Sequence, residues 1–141
     1  MIVRAPVRHL VLDNEAVRAL LSMRSSDRKR AMVVEAIAAA NGQRVVPTAV
    51  RGEAGWRRTD PKAANANRLV AVDDELDRVG ADRVVQLRSA VPAASVVDAS
   101  VALAAERVGA GDDVVEVLTS DAVDLQALAA HSRVRVDVVV L

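Results

Sequence analysis

The chain has 141 residues, 52% of them apolar, with 19 basic and 19 acidic side chains, which is enough for one domain with a substantial core. It has no cysteine, so disulfides and thiolate metal sites are excluded, and any cation must be held by oxygen or by the two histidines, His9 and His131. Trp56 is the one aromatic residue, which argues against base stacking on aromatic platforms as the main mode of nucleic-acid binding.

In chain order, Val7–Leu12 is a β-rich run ending at Asp13-Asn14, and Glu15–Leu21 has helical spacing with Ala16, Leu20 and Leu21 available to a core. Ser22–Asp27 is a polar break in which Ser26 or Asp27 can cap a helix running to about Ala40, stopped by Asn41-Gly42. Arg44–Val46 is a short strand closed by Pro47. Thr48 is then expected to cap a helix to about Arg58, and Asp60-Pro61 to start a second one to about Leu69. Leu69–Val72 reads equally as a helix end or a short strand. Asp73–Arg88 reads as helical despite Gly80, and an alanine-rich helix follows from about Ala93 to Val108, ended by Gly109-Ala110-Gly111. Val114–Leu118 is a buried-type strand, Thr119-Ser120-Asp121 caps a helix from Ala122 to about Ala130, and Arg133–Leu141 is a last strand. Strands alternating with helices predict a single α/β domain over residues 1–141 with a central, mostly parallel sheet.

No stretch reads as a signal peptide or a membrane span. Residues 1–12 carry Arg4 and Arg8, and the longer apolar runs are broken by charges such as Glu35 and Asp137. A soluble cytoplasmic protein is expected. Charge is uneven along the chain: residues 1–68 hold 13 basic and 6 acidic side chains, and residues 69–141 hold 6 and 13. This reads either as a basic face for a polyanion beside an acidic cation site, or as chance in a chain that folds back on itself.

Ligands of open parallel sheets bind beyond the carboxyl ends of the strands, and Asp13 and Asp121 are placed there. Asp98 is followed by Val101, Ala102 and Ala105 on one helical stripe, and Glu53 shares a helix side with Val50 and Trp56. Each acid has a plainer reading taken alone: a helix start for Asp13, an N-cap for Asp121, a surface pair with Arg57 for Glu53. Together they suggest a carboxylate cluster. Such a cluster raises its own pKa values by mutual repulsion and is relieved by a divalent cation, which can activate water for phosphodiester hydrolysis. Oxygen donors suit Mg²⁺ or Mn²⁺.

Four segments carry a family resemblance: Val11-Leu12-Asp13, Val50-Arg51-Gly52-Glu53, Val97-Asp98-Ala99-Ser100-Val101-Ala102, and Leu118-Thr119-Ser120-Asp121-Ala122-Val123-Asp124-Leu125. An apolar strand ending in Asp, an acid about forty positions on, Asp-Ala-Ser-Val-Ala in a helix and strand-Thr-Ser-Asp together resemble the PIN-domain ribonucleases. The match is closest to the VapC-like toxins of bacterial toxin–antitoxin modules and spans nearly the whole chain. Asn14 departs from the pattern, since many members carry Ser or Thr there.

The resemblance implies a PIN-like α/β/α sandwich. It also implies a Mg²⁺- or Mn²⁺-dependent endoribonuclease with Asp13, Glu53, Asp98 and Asp121 as its acids. Asp13 and Asp98 would be direct metal ligands. Asp121 would ligate directly or through water, and Glu53 would do so or orient the attacking water. Asn14, Thr119, Ser120 and Asp124 are accessory candidates; Asp124 reads equally as a solvated first-turn acid, and Ser120 as a cap. An RNA substrate, a cognate antitoxin and a homodimer are the implied partners. The alternatives are an RNA-processing nuclease that is not a toxin, and a catalytically silent PIN-like module that binds RNA or a partner.

Basic residues gather as Arg24, Arg28, Lys29 and Arg30, and as Arg51, Arg57 and Arg58 on the Glu53 helix. The second group is the candidate RNA contact, made through phosphates. His9 and His131 are expected to be structural or exposed, Trp56 a core or dimer contact, and Met23 and Met32 core filler.

Overall fold

The computed structural model describes residues 5–22, 24 and 27–141. Arg4, Met23 and Ser26 lie outside the described residues. Among the described residues, five parallel strands form one sheet: β1 (Arg8–Leu12), β2 (Arg44–Pro47), β3 (Val72–Asp74), β4 (Val114–Thr119) and β5 (Arg135–Val140), in the order β3-β2-β1-β4-β5. Seven α-helices connect them among the described residues: α1 (Asn14–Leu21), α2 (Arg28–Ala39), α3 (Thr48–Ala54), α4 (Ala64–Leu69), α5 (Arg78–Ala90), α6 (Val96–Val108) and α7 (Ala122–Ala129). The expected α/β architecture with a central parallel sheet is therefore present. No helix of the described residues is long and apolar enough to cross a membrane.

β1 and β4 are central and covered on both faces, so they read as unbroken apolar runs rather than alternating ones. Leu10, Val11, Leu12, Val117 and Leu118 are fully buried. From β1 the chain steps outward to β2 and β3, then crosses back to β4 and β5 on the other side. α1 packs on α2 and α3, and α6 on α5 and α7. The reversal of direction between β1 and β4 opens a crevice at their carboxyl ends.

Alanine occupies every side of α6, so its sequence gives no contrast between an inner and an outer face. The structure explains the composition. Residues 99–105 of α6 are all buried, because the helix lies between the sheet and the pair α5 and α7. One apolar cluster lies against the sheet and a second, with Val84, Leu87, Leu103 and Leu128, lies on the outer side. Small side chains let three layers approach a helix with no free face.

Several boundaries differ from expectation. Residues 73–77 are not helical. Val72–Asp74 joins the sheet beside β2 through Val45↔Val72, Val46↔Asp73 and Pro47↔Asp74, and α5 starts only after Asp77, whose carboxylate accepts the Gly80 N–H at 2.7 Å. Sheet pairing and this cap outweigh the helical propensity of the acidic run. α3 has Pro47 at its N-cap, with Thr48 as its first residue, and ends at Ala54 because Gly55 takes the left-handed conformation with φ 75°. α6 starts at Val96 behind a Ser95 cap, later than Ala93. Met32 is exposed rather than core filler, since α2 buries only Val33 and Ile37.

His9 is structural, as expected. It is buried, its Nδ1 accepts the Gln43 N–H at 2.9 Å, and Nε2 therefore carries the proton donated to Asp113 Oδ2 at 2.9 Å. His131 is exposed. Trp56 is a core contact, donating from Nε1 to Asn67 Oδ1 at 2.9 Å.

Candidate metal centre

Asp13 is the first residue past β1 and still hooks onto β4, its N–H donating to the Leu118 carbonyl at 3.0 Å. That bond sets it beside Thr119, the last residue of β4. The fully buried Thr119 hydroxyl donates to Asp13 Oδ2 at 2.7 Å and accepts the Asp121 N–H at 2.9 Å. One hydroxyl thus fixes the first and last acids relative to each other. Asp13 Oδ1 accepts the Asn14 N–H at 2.7 Å. The Asn14 side-chain amide donates to Glu53 Oε1 across from α3.

Asp98 sits in the first turn of α6 in a reciprocal capping box. Its N–H donates to Ser95 Oγ at 3.0 Å, and its Oδ2 accepts the Ser95 N–H at 3.3 Å. Asp121 is the N-cap of α7 by position, yet its carboxylate makes no capping bond. Asp124 lies one turn further along the same helix. Oxygens of Asp98, Asp121 and Asp124 lie within 4.8 Å of one another. The N-termini of α1, α6 and α7 thus converge on the acids, and the positive ends of their dipoles offset part of the repulsion.

Burial is the main reason the carboxyls of Asp13 and Asp98 are raised above the ordinary aspartate range. The Thr119 and Asn14 bonds pull Asp13 back down, and the charges of Glu53 and Asp121 push it up. For Asp98 the bonds from Ser95 lower the value, and the charges of Asp13 and Asp121 raise it. Asp13, Glu53, Asp98 and Asp121 thus share one electrostatic environment. Among the described residues, the acids whose oxygens all lie within 4.8 Å of one another are Asp98, Asp121 and Asp124, and Thr119 ties Asp13 to the backbone of Asp121.

The donor set fits a hard cation. Every candidate ligand is a carboxylate oxygen, and His9 lies toward the opposite end of β1, bound to Asp113. Oxygens sharing one Mg²⁺ at about 2.1 Å stand roughly 3–4 Å apart, a small closure from the spacing present.

The arginines of the Glu53 segment divide. Arg51 grips Asp73 through Nε and a terminal nitrogen at 2.9 and 3.2 Å, and also donates to the Trp56 carbonyl at 3.0 Å. Arg58 donates to the same carboxylate at 2.8 Å and to the Val70 carbonyl at 2.7 Å, with its guanidinium 4.4 Å from the Trp56 ring centre. These two hold the end of α3 to β3. Arg57 is exposed and makes no ion pair among the described residues. Asp73→Ala will lower stability by about 2–3 kcal/mol, because it deprives two partly buried guanidiniums of the carboxylate they share. Arg57→Ala will change stability by less than about 0.5 kcal/mol. Thermal unfolding of the two variants checks the contrast.

Asn14, Thr119 and Asp124 were accessory candidates in the sequence, but three particulars were not evident there: the bond from Asn14 to Glu53, the double role of Thr119, and the closeness of Asp124 to Asp98. The first has no sequence signal. The second and third have a weak one, a Thr two positions before an Asp at a strand end and a second Asp three positions on. Ser120 is exposed, and neither it nor Asp121 supplies a side-chain cap to α7. No protein-family model matches the chain, and no curated protein matches it in sequence.

Proposed function

We propose that the chain is a Mg²⁺- or Mn²⁺-dependent endoribonuclease of the PIN type. The observation that carries this reading is the gathering of acids from four separate segments at the β1/β4 crevice. Two of them, Asp13 and Asp98, are kept in a partly desolvated, mutually repelling arrangement. Such an arrangement costs stability unless a cation occupies it.

Asp98, Asp121 and Asp124 would hold the cation, with Asp13, fixed by its bond from Thr119, as a further ligand. A bound divalent cation supplies an activated water and charge neutralisation at the scissile phosphate. Asp13 keeps its orientation because both of its oxygens accept protein donors. Glu53 is exposed and tethered on one oxygen, so its other oxygen is available to ligate the cation through water and to orient the attacking water. Arg57 is the cation of the α3 segment open to a substrate phosphate.

The resemblance extends the proposal to the toxin of a toxin–antitoxin pair, cytoplasmic and homodimeric, with an antitoxin as partner. The direct test is hydrolysis of labelled single-stranded RNA by the intact protein in Mn²⁺, Mg²⁺ or EDTA. Cleavage with either metal and none in EDTA is expected. RNA bound but uncut with both metals would replace the nuclease by a binding module.

A further inference from the structure

Asn14 spans two acids. Its backbone N–H donates to Asp13, and its side-chain amide donates to Glu53. The other end of that amide, Oδ1, is shut off from solvent and has no hydrogen-bond partner among the described residues. A buried acceptor left unpaired is unfavourable, so the orientation of the amide is set by Glu53. The flipped amide would place its oxygen against a carboxylate.

Glu53 is exposed on α3 and faces the charge of Asp13, which it pushes up. With no donor to hold it, repulsion and side-chain entropy would turn it into solvent. We infer that Asn14 is a positioning residue that holds Glu53 against Asp13 before any cation arrives, so that the acids are ordered ahead of metal binding. The inference rests on the metal-site reading above. A ligand set ordered in advance binds more tightly, because less ordering remains to be done on binding. Serine at this position would keep the backbone bond to Asp13, but its hydroxyl is too short to span to α3.

The test is Mn²⁺ affinity, read from the loss of free-ion paramagnetic resonance signal, together with thermal unfolding of the metal-free protein. Asn14→Ala and Asn14→Ser are expected to fold and to bind Mn²⁺ about 10-fold more weakly, the scale of losing a ligand's supporting hydrogen bond. Asn14→Gln keeps the amide donor and is expected to recover part of the affinity. Asn14→Ala with a lowered unfolding temperature but unchanged Mn²⁺ affinity would make the residue merely structural and overturn the inference. Intact protein that binds no Mn²⁺ would remove the metal-site reading and this inference together. Intact protein that binds, with variants that bind equally well, would remove this inference alone.

Discussion

Asp98→Asn is expected to reduce metal-dependent RNA cleavage by at least about 100-fold while leaving the fold intact. Asparagine preserves the shape of the side chain, and its oxygen can still accept the Ser95 N–H that Asp98 accepts now, so the start of α6 keeps its cap. It removes one of three carboxylates whose oxygens lie within 4.8 Å of one another. It also removes a charge from the field that Asp13 and Asp121 share with Asp98. A 100-fold loss corresponds to about 2.7 kcal/mol of transition-state stabilisation, a moderate demand on a direct metal ligand. In the absence of metal the variant should unfold at the same or a higher temperature than the intact protein, because repulsion is relieved. Falling activity with unreduced stability separates a functional acid from a capping one. If Asp98 were only half of a capping box, cleavage would be unaffected.

The second large effect is on stability and its dependence on pH. Asp13 and Asp98 both have raised values in the folded protein, chiefly through burial. The folded chain therefore holds protons that the unfolded chain has released. These groups favour folding fully below the ordinary aspartate range near 4. That contribution is lost as pH rises through their raised folded values. Asp77, lowered by its bond to Gly80 N–H, works in the opposite sense, losing its contribution as pH falls. A cation held by the ionised acids reverses the loss at neutral pH. With Mn²⁺ at one hundred times its dissociation constant, stability should rise by about 2.7 kcal/mol, a shift of about 5–10 °C for a chain of this size. The same addition near pH 4 should shift the midpoint less, because the raised carboxyls of Asp13 and Asp98 take up protons that compete with the cation. Thermal unfolding at pH 7 and pH 4, with and without Mn²⁺, checks this; an equal shift at both values would place the metal away from these acids.

How much of this was legible in the sequence depended on how local the physics was. Asp13 and Asp121 were placed correctly at strand ends because a short apolar run that stops at an acid is a local signal, and the parallel sheet turns such ends into one crevice. The inner face of α6 was not legible, because alanine gives no contrast between the side on the sheet and the side against α5 and α7. The run Asp73–Asp77 was misread because its state is decided far along the chain, by β2 pairing with residues 72–74 and by Arg51 and Arg58 closing on Asp73. The same distant carboxylate decides the roles of those arginines, which sequence had grouped with Arg57 as RNA contacts. Asn14 was noticed as a departure from a pattern. Its bond to Glu53, 39 positions away, is a tertiary fact with no local signature.

The central claim is that the acids at the β1/β4 crevice hold a divalent cation, and anomalous scattering from crystals saturated with Mn²⁺ tests it most directly. We predict a peak within about 2.5 Å of carboxylate oxygens of Asp98 and Asp121, with Asp13 or Asp124 completing the protein ligands. A peak elsewhere on the protein, or none at this cluster under saturating Mn²⁺, would contradict the account.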